Sequence, residues 1–369
     1  MSFDLSILGV KENIPRINFM EYTGLIQAPP KWGKTTIASL YPNCVLAAVE
    51  PGFKAKRINY IDTSTWVKFR NFVDKLEQNR KSIGKSVQTI AIDTVDRLYP
   101  ECQTYIVNEY NNNPKTKYKA KAIGDIPHGK GWGMADEEFL KQINKIIRMQ
   151  FTILFLTHNK IKTITPEDGE PYDVYVPTMP PRCADLIFPL VDFIINGEKT
   201  SEVIDGEKVN KRLMRLQGNS MSDSGNRLGT METLIKFSTE EEAMEKFRES
   251  FRRGIEENIK RSGIKKPIED IEKEQIEERE EKLNNYLDEL KNETKKKEEP
   301  TPEERLANGI KAIDELVKQL VESGIEKKVI SETIKANHKS NNYNSIKDID
   351  VATKVYKALK ELKKKPEDK

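Results

Sequence analysis

Over its first 237 residues the chain alternates short apolar runs with longer amphipathic stretches. Thr23 to Gln27 reads as a short strand, and Cys44 to Val49 (CVLAAV) as a strand buried on both faces. Val87 to Ile92 and the strongly apolar Phe151 to Leu156 read the same way. Between them lie helical stretches: Thr35 to Leu40, Trp66 to Leu76, Val95 to Tyr110 and Phe139 to Ile147. In the second of these, Trp66, Phe69, Val73 and Leu76 recur at helical spacing. Val191 to Ile195, Arg212 to Leu216 and Leu234 to Phe237 predict later strands. The alternation predicts an α/β fold, a mostly parallel sheet covered by helices.

Two segments break the alternation. Asn111 to Gly133 is rich in Lys, Asn and Gly, and Lys160 to Pro181 carries several prolines. Both predict long loops, which in a compact domain are functional or disordered. From Ser238 to about residue 300, charges of both signs interleave with sparse apolar residues, predicting a charged helical extension or linker. Residues 301–363 predict a small bundle of three helices, an interaction domain. The first begins at Thr301-Pro302-Glu303-Glu304, and Leu306, Ile310, Ile313, Leu316, Val317, Leu320 and Val321 form its stripe. Residues 364–369 predict a disordered tail.

A third of the 369 residues are charged, yet 62 basic and 59 acidic residues leave a net charge of only +3. Nucleic-acid binding would therefore need a local patch rather than a global field. Cys44, Cys102 and Cys183 are odd in number and widely spaced, against a disulfide framework or a zinc site and in keeping with a reducing cytosol. No signal-peptide pattern opens the chain and no run approaches 18 apolar residues, so no membrane association is expected.

The chemistry centres on Ala28-Pro29-Pro30-Lys31-Trp32-Gly33-Lys34-Thr35-Thr36, between a predicted strand and a predicted helix. Gly33-Lys34-Thr35 match the end of the phosphate-loop pattern, and Ala28 stands where its first Gly usually does. Loop N–H groups would cradle phosphates, Lys34 would reach the β- and γ-phosphates, and the Thr35 hydroxyl would ligate Mg²⁺. Asp93, closing the strand Thr89 to Asp93, would be the second metal residue; as a bare pattern it is also a helix N-cap. The cofactors implied are ATP and Mg²⁺.

Hydrolysis needs a base. Thr94 occupies the position directly after Asp93, where a Glu often stands, so Glu50 is the first candidate and Asp96 the second. Glu50 ends a strand on the side where an α/β sheet meets its ligand. Thr157, His158 and Asn159 follow the strand Phe151 to Leu156, and His158 would sense the γ-phosphate as a hydrogen-bonding residue.

The order APPKWGKTT, VLAAVEPG, TIAIDT, HGKGWG, FLTHN resembles the phage RecA-like ATPases of the single-strand annealing (Sak) type, over roughly Asn18 to Phe237. The resemblance implies a RecA-like ATPase core over residues 1–237, binding of single-stranded DNA, annealing or homologous pairing, and action in a bacterial host's cytoplasm. It favours Glu50 over Asp96 as base. Relatives tend to carry Lys and Arg near Ser224 to Arg227; only Arg227 remains, and in a homo-oligomer it would act as a finger on a neighbour's γ-phosphate.

For DNA, lysines neutralise phosphates and aromatics stack bases. The first loop offers Lys117, Tyr118, Lys119, Lys121, Lys130 and Trp132, and the second Lys162. The bundle would recruit a single-strand-binding protein or another replication or recombination partner. A helicase loader or other remodelling ATPase, and a nucleotide-gated binding module with slow hydrolysis, are the alternatives.

Overall fold

The computed structural model describes residues 12–362, apart from 117, 205, 220, 230 and 299–301. Lys117, the Thr301 helix start and the 364–369 tail thus lie outside the described residues. The described chain divides into two compact units, up to Tyr286 and from Leu287 onward.

In the first unit β1 (Gly24–Ala28) leads through the phosphate loop into α1 (Lys34–Ser39). There follow β2 (Cys44–Ala48), β3 (Asn59–Asp62), α2 (Trp66–Ile83), β4 (Thr89–Asp93), α3 (Val95–Asn112), α4 (Lys130–Arg148), β5 (Thr152–Ile164) and β6 (Tyr172–Pro177). Then come α5 (Pro181–Ile187), β7 (Phe193–Ile204), β8 (Glu207–Arg215), β9 (Gly225–Asn226), β10 (Leu234–Phe237), α6 (Glu240–Arg261) and α7 (Ile268–Glu298), which runs across the boundary in sequence.

The sheet order is β10-β8-β7-β1-β5-β4-β2-β3. From β7 to β3 every neighbour is parallel; β8 and β10 add antiparallel edges. The phosphate-loop strand and the Asp93 strand are therefore not adjacent: β5, carrying His158, lies between them. Period-two alternation explains the continuous apolar runs. Ile26, Ala28, Leu154 and Leu156 enter one core cluster with Ile37 of α1 and Phe247 and Phe251 of α6. Their neighbours Leu25, Ile153 and Phe155 are fully buried on the other face.

Three expectations need correction. The segment 111–133 is not a poorly anchored loop. Ala120, Ile123 and Ile126 are buried with Ile106, Val107 and Ala135, and α4 starts at Lys130 rather than near Phe139. The 160–181 segment is largely a β-ribbon: β5 continues past the sheet, and Asn159 to Ile164 pairs antiparallel with β6. Finally, the compact core does not stop at 237. In α6 the few apolar residues (Ala243, Met244, Phe247, Phe251, Ile255, Ile259) fall on one stripe and are buried in the core. Sparse apolar content misleads there because the stripe, not the average, decides burial.

The second unit contains α8 (Pro302–Glu322), α9 (Lys327–Asn337) and α10 (Ile349–Leu362). Ile313, Leu316, Leu320, Ile330, Ile334, Val355 and Leu359 form a separate core there.

Candidate nucleotide site

The parallel strands β1, β2, β4 and β5 all end on one edge of the sheet, and a cleft of about 430 Å³ opens there. Its lining includes Pro30 to Thr36, Glu50, Gly52, Lys56, Asp93, His158 and Glu240. Ala28 and Pro29 lie below it and contribute carbonyls instead.

Loop conformation follows from its residues. Gly33, the N-cap of α1, has φ 117°, a region a side chain would strain, and Lys31 takes φ 61°. Ala28 is an ordinary strand residue, and its methyl is accommodated from the neighbouring strand. A Cβ on Gly197 of β7 would lie 2.4 Å from that of Ala28, so the glycine that the loop lacks is supplied across the sheet. Trp32 is not a ligand-facing ring. It is fully buried, donates from Nε1 to the Glu198 carbonyl at 3.0 Å and stands edge-on to Phe237 at 5.2 Å. It ties the loop into the core.

Lys34 is nearly buried, and its ammonium donates to the Ala28 carbonyl at 2.7 Å and meets His158 Nδ1 at 3.0 Å. A charged lysine donating there requires Nδ1 to carry the lone pair, so the imidazole proton sits on Nε2. Burial pushes the Lys34 pKa down to about 8, against the opposing pull of Asp93, Asp96 and Glu50. Thr35 Oγ1 donates to Asp93 Oδ2 at 2.6 Å. Burial raises the Asp93 pKa, opposed by the Thr35 hydrogen bond and Lys34. One hydroxyl and one desolvated carboxylate in contact form an oxygen-only donor set, which suits Mg²⁺ held jointly with substrate phosphates. No group of three or more His, Cys, Asp or Glu among the described residues could hold a metal by protein ligands alone.

Glu50 Oε1 accepts from Thr94 Oγ1 at 2.9 Å and from Arg97 Nε at 3.3 Å. Arg97 is largely exposed, so Thr94 is the firmer anchor. Asp96 is engaged elsewhere: its Oδ2 accepts from the His158 amide at 3.1 Å and from Thr178. It braces β5 at His158, where the strand leaves the sheet, rather than lining the cleft.

Arg227 is not at this site. Its guanidinium donates to Asp192 Oδ1 at 3.1 Å and the Pro189 carbonyl at 2.9 Å, beside the starting ends of β1 and β7. Within its own chain it is at the far edge of the sheet from the cleft.

The DNA candidates are scattered. Tyr118 is exposed, and Lys119 Nζ is taken up by the Asn111 carbonyl. The Lys121 amide donates to Asp125, and Lys130 opens α4. Trp132 is half-buried with Arg182 over its ring at 5.8 Å. Lys162 lies exposed on the β5–β6 ribbon.

Sequence reasoning missed Glu240, Gly52 and Lys56 in the cleft, and Arg212 behind it. Arg212 donates to the Trp32 carbonyl at 2.9 Å and forks onto Glu240 at 2.8 and 3.3 Å. The local signal that could have marked this helix start is Thr239 at the N-cap with Glu242 three residues on. Its position over the loop depends on β10 following β7 and β8 in the sheet, which no local pattern shows.

The AAA domain family matches residues 20–228, more than half of the chain and the whole span from β1 to β9. The chain belongs to the AAA domain family. This AAA domain carries a phosphate loop with its acidic partner, and the family implies nucleotide binding. A curated relative, the SPbeta prophage-derived uncharacterized protein YorG of Bacillus subtilis (strain 168), is 25% identical over 128 residues. That match takes in 34% of this chain and 37% of the relative, so it spans little more than a third of that protein's length. Among the described residues, no helix of this AAA domain protein is long and apolar enough to cross a membrane.

Proposed function

We propose that the chain is a Mg²⁺-dependent ATPase of phage origin that couples nucleotide state to single-stranded DNA, in recombination by annealing or pairing. The observation carrying the ATPase reading is the convergence of Lys34, Thr35, Asp93, Glu50 and His158 on one cleft from four separate elements. Lys34 and the loop amides bind the phosphates. Thr35 and Asp93 hold Mg²⁺, which when bound shields phosphate charge. Glu50, oriented by Thr94, accepts the proton of the attacking water. His158 contacts the γ-phosphate from Nε2 while Nδ1 faces Lys34. The prophage-derived relative supports the phage origin.

The DNA reading rests on β5. His158 precedes by two residues the exposed Lys160, and by four Lys162, on one continuous strand. A shift at the γ-phosphate would thus reach the ribbon through a rigid element. The ribbon also exposes Ile161, on the face opposite these lysines, and Tyr172. Subunits are proposed to assemble along the strand.

The test is ATP turnover with and without single-stranded DNA, together with annealing of complementary strands. Stimulation that falls in Lys160→Ala/Lys162→Ala supports the reading. ATPase activity indifferent to DNA, with no annealing, overturns its DNA part.

A further inference from the structure

The cleft contains a carboxylate that phosphate chemistry does not call for. Glu240 lies against the loop: a Cβ on Gly33 would be 2.7 Å from its Oε1. It follows the β10 strand at the start of α6, beyond the 20–228 family match. A carboxylate facing a triphosphate is repelled. Its ligand-facing side must therefore meet uncharged hydrogen-bond donors.

Glu240 is built to stay ionised and fixed. Arg212 forks onto both oxygens, and its own position is set by the Trp32 carbonyl and by the Phe237 ring 4.9 Å from its centre. Lys56, which also lines the cleft, adds positive field. The Arg212 hydrogen bond accordingly holds the Glu240 carboxyl below its ordinary range. A carboxylate offers about four lone-pair sites. The Arg212 fork engages one on each oxygen, leaving acceptor capacity on the carboxylate for a ligand.

The catalytic groups Glu50, Asp93 and His158 come from β2, β4 and β5, on one flank of β1. Arg212 and Glu240 come from β8 and the segment after β10, on the other. A nucleotide whose γ-phosphate faces the first flank presents its sugar toward the second. We propose that Glu240, held by Arg212, accepts a hydrogen bond from the ribose hydroxyls of the bound nucleotide, so that the cleft selects ribonucleotides. This rests on the nucleotide reading of the cleft.

The test is calorimetric affinity of the full chain, with Mg²⁺, for ATP, 2′,3′-dideoxy-ATP and inorganic tripolyphosphate. Wild type is expected to bind ATP roughly tenfold or more tighter than the dideoxy analogue, the size of a hydrogen bond to a charged group. Glu240→Ala should remove most of that gap while binding tripolyphosphate as tightly as wild type or more so. Glu240→Gln keeps the shape and loses the charge, and should shrink the gap at least about threefold even if the alanine variant does not fold. No gap in wild type, an unchanged gap in Glu240→Gln, or equal weakening of ATP and tripolyphosphate in Glu240→Ala would overturn the proposal. If wild type binds neither ATP nor tripolyphosphate, the nucleotide reading itself falls, and the ribose contact with it.

Discussion

The two edges of the parallel sheet each hold a carboxylate whose pKa burial raises, and they are used differently. At the starting edge Asp192 accepts the Thr23 amide at 2.8 Å and pairs with Arg227 at 3.1 Å. It joins the starts of β1 and β7, and each of its two oxygens is engaged by the fold. At the finishing edge Asp93 has one neutral partner, Thr35, and otherwise faces a cleft. Lys34 beside it is a buried cation whose hydrogen bonds go to neutral groups, a carbonyl and an imidazole. Buried charges are costly unless paired. A satisfied one reads as structure; an under-satisfied pair of opposite groups flanking an opening reads as a site awaiting a charged ligand. The contrast also keeps Arg227 away from its own chain's cleft; the resemblance had made it a candidate only for a neighbouring subunit's γ-phosphate.

The largest expected effect that would break this comparison is on turnover. Glu50→Gln should bind ATP like wild type and hydrolyse it about 100-fold or more slowly, as for loss of a general base. Steady-state rates alongside titrated affinity check this, and undiminished turnover would remove Glu50 from the role. Asp93→Asn comes next. It should cost about tenfold or more in Mg²⁺-dependent ATP affinity, and a titration of ATP binding against Mg²⁺ would show no change if Asp93 were only a helix cap.

The far edge should respond in the opposite sense. Asp192→Asn and Arg227→Ala should change unfolding free energy by no more than about 1 kcal/mol, since Arg227 is largely exposed. Monomer ATP affinity should stay within twofold. A selective loss of affinity in urea-stable Arg227→Ala would mean that the two edges are not separate.

The smallest effect is protonic. With its pKa lowered to about 8, Lys34 is mostly neutral in the free protein at pH 9, and bound phosphates would restore its charge. ATP binding should therefore take up as much as one proton at pH 9 and almost none at pH 7. Binding enthalpies in buffers of different ionisation heat report it. The same shift lowers a lysine's pKa on folding, so the unfolded chain binds more protons between about 8 and 10.5. Stability from this group accordingly rises with pH across that window.

Much of this was legible in the sequence because its signals are local. The CVLAAV and FTILFL runs give buried strands, Gly33-Lys34-Thr35 open the helix after the first strand, and Asp93 ends a strand. What escaped depends on three-dimensional neighbours. Gly197 compensates for Ala28 only because β7 adjoins β1, and Glu240 reaches Gly33 only through the order β1-β7-β8-β10. Lys160 to Pro181 hid a ribbon because its strands carry polar residues on both sides, as an extension outside the core permits. Trp32 in the loop invited a ligand role, yet its ring is fully buried.

The most direct measurement is calorimetric titration of Mg-ATP into wild type and Lys34→Ala. The finishing edge as nucleotide site predicts one saturable site in wild type, weakened about 100-fold or more when the buried ammonium is removed. Equal binding by the two proteins would contradict it.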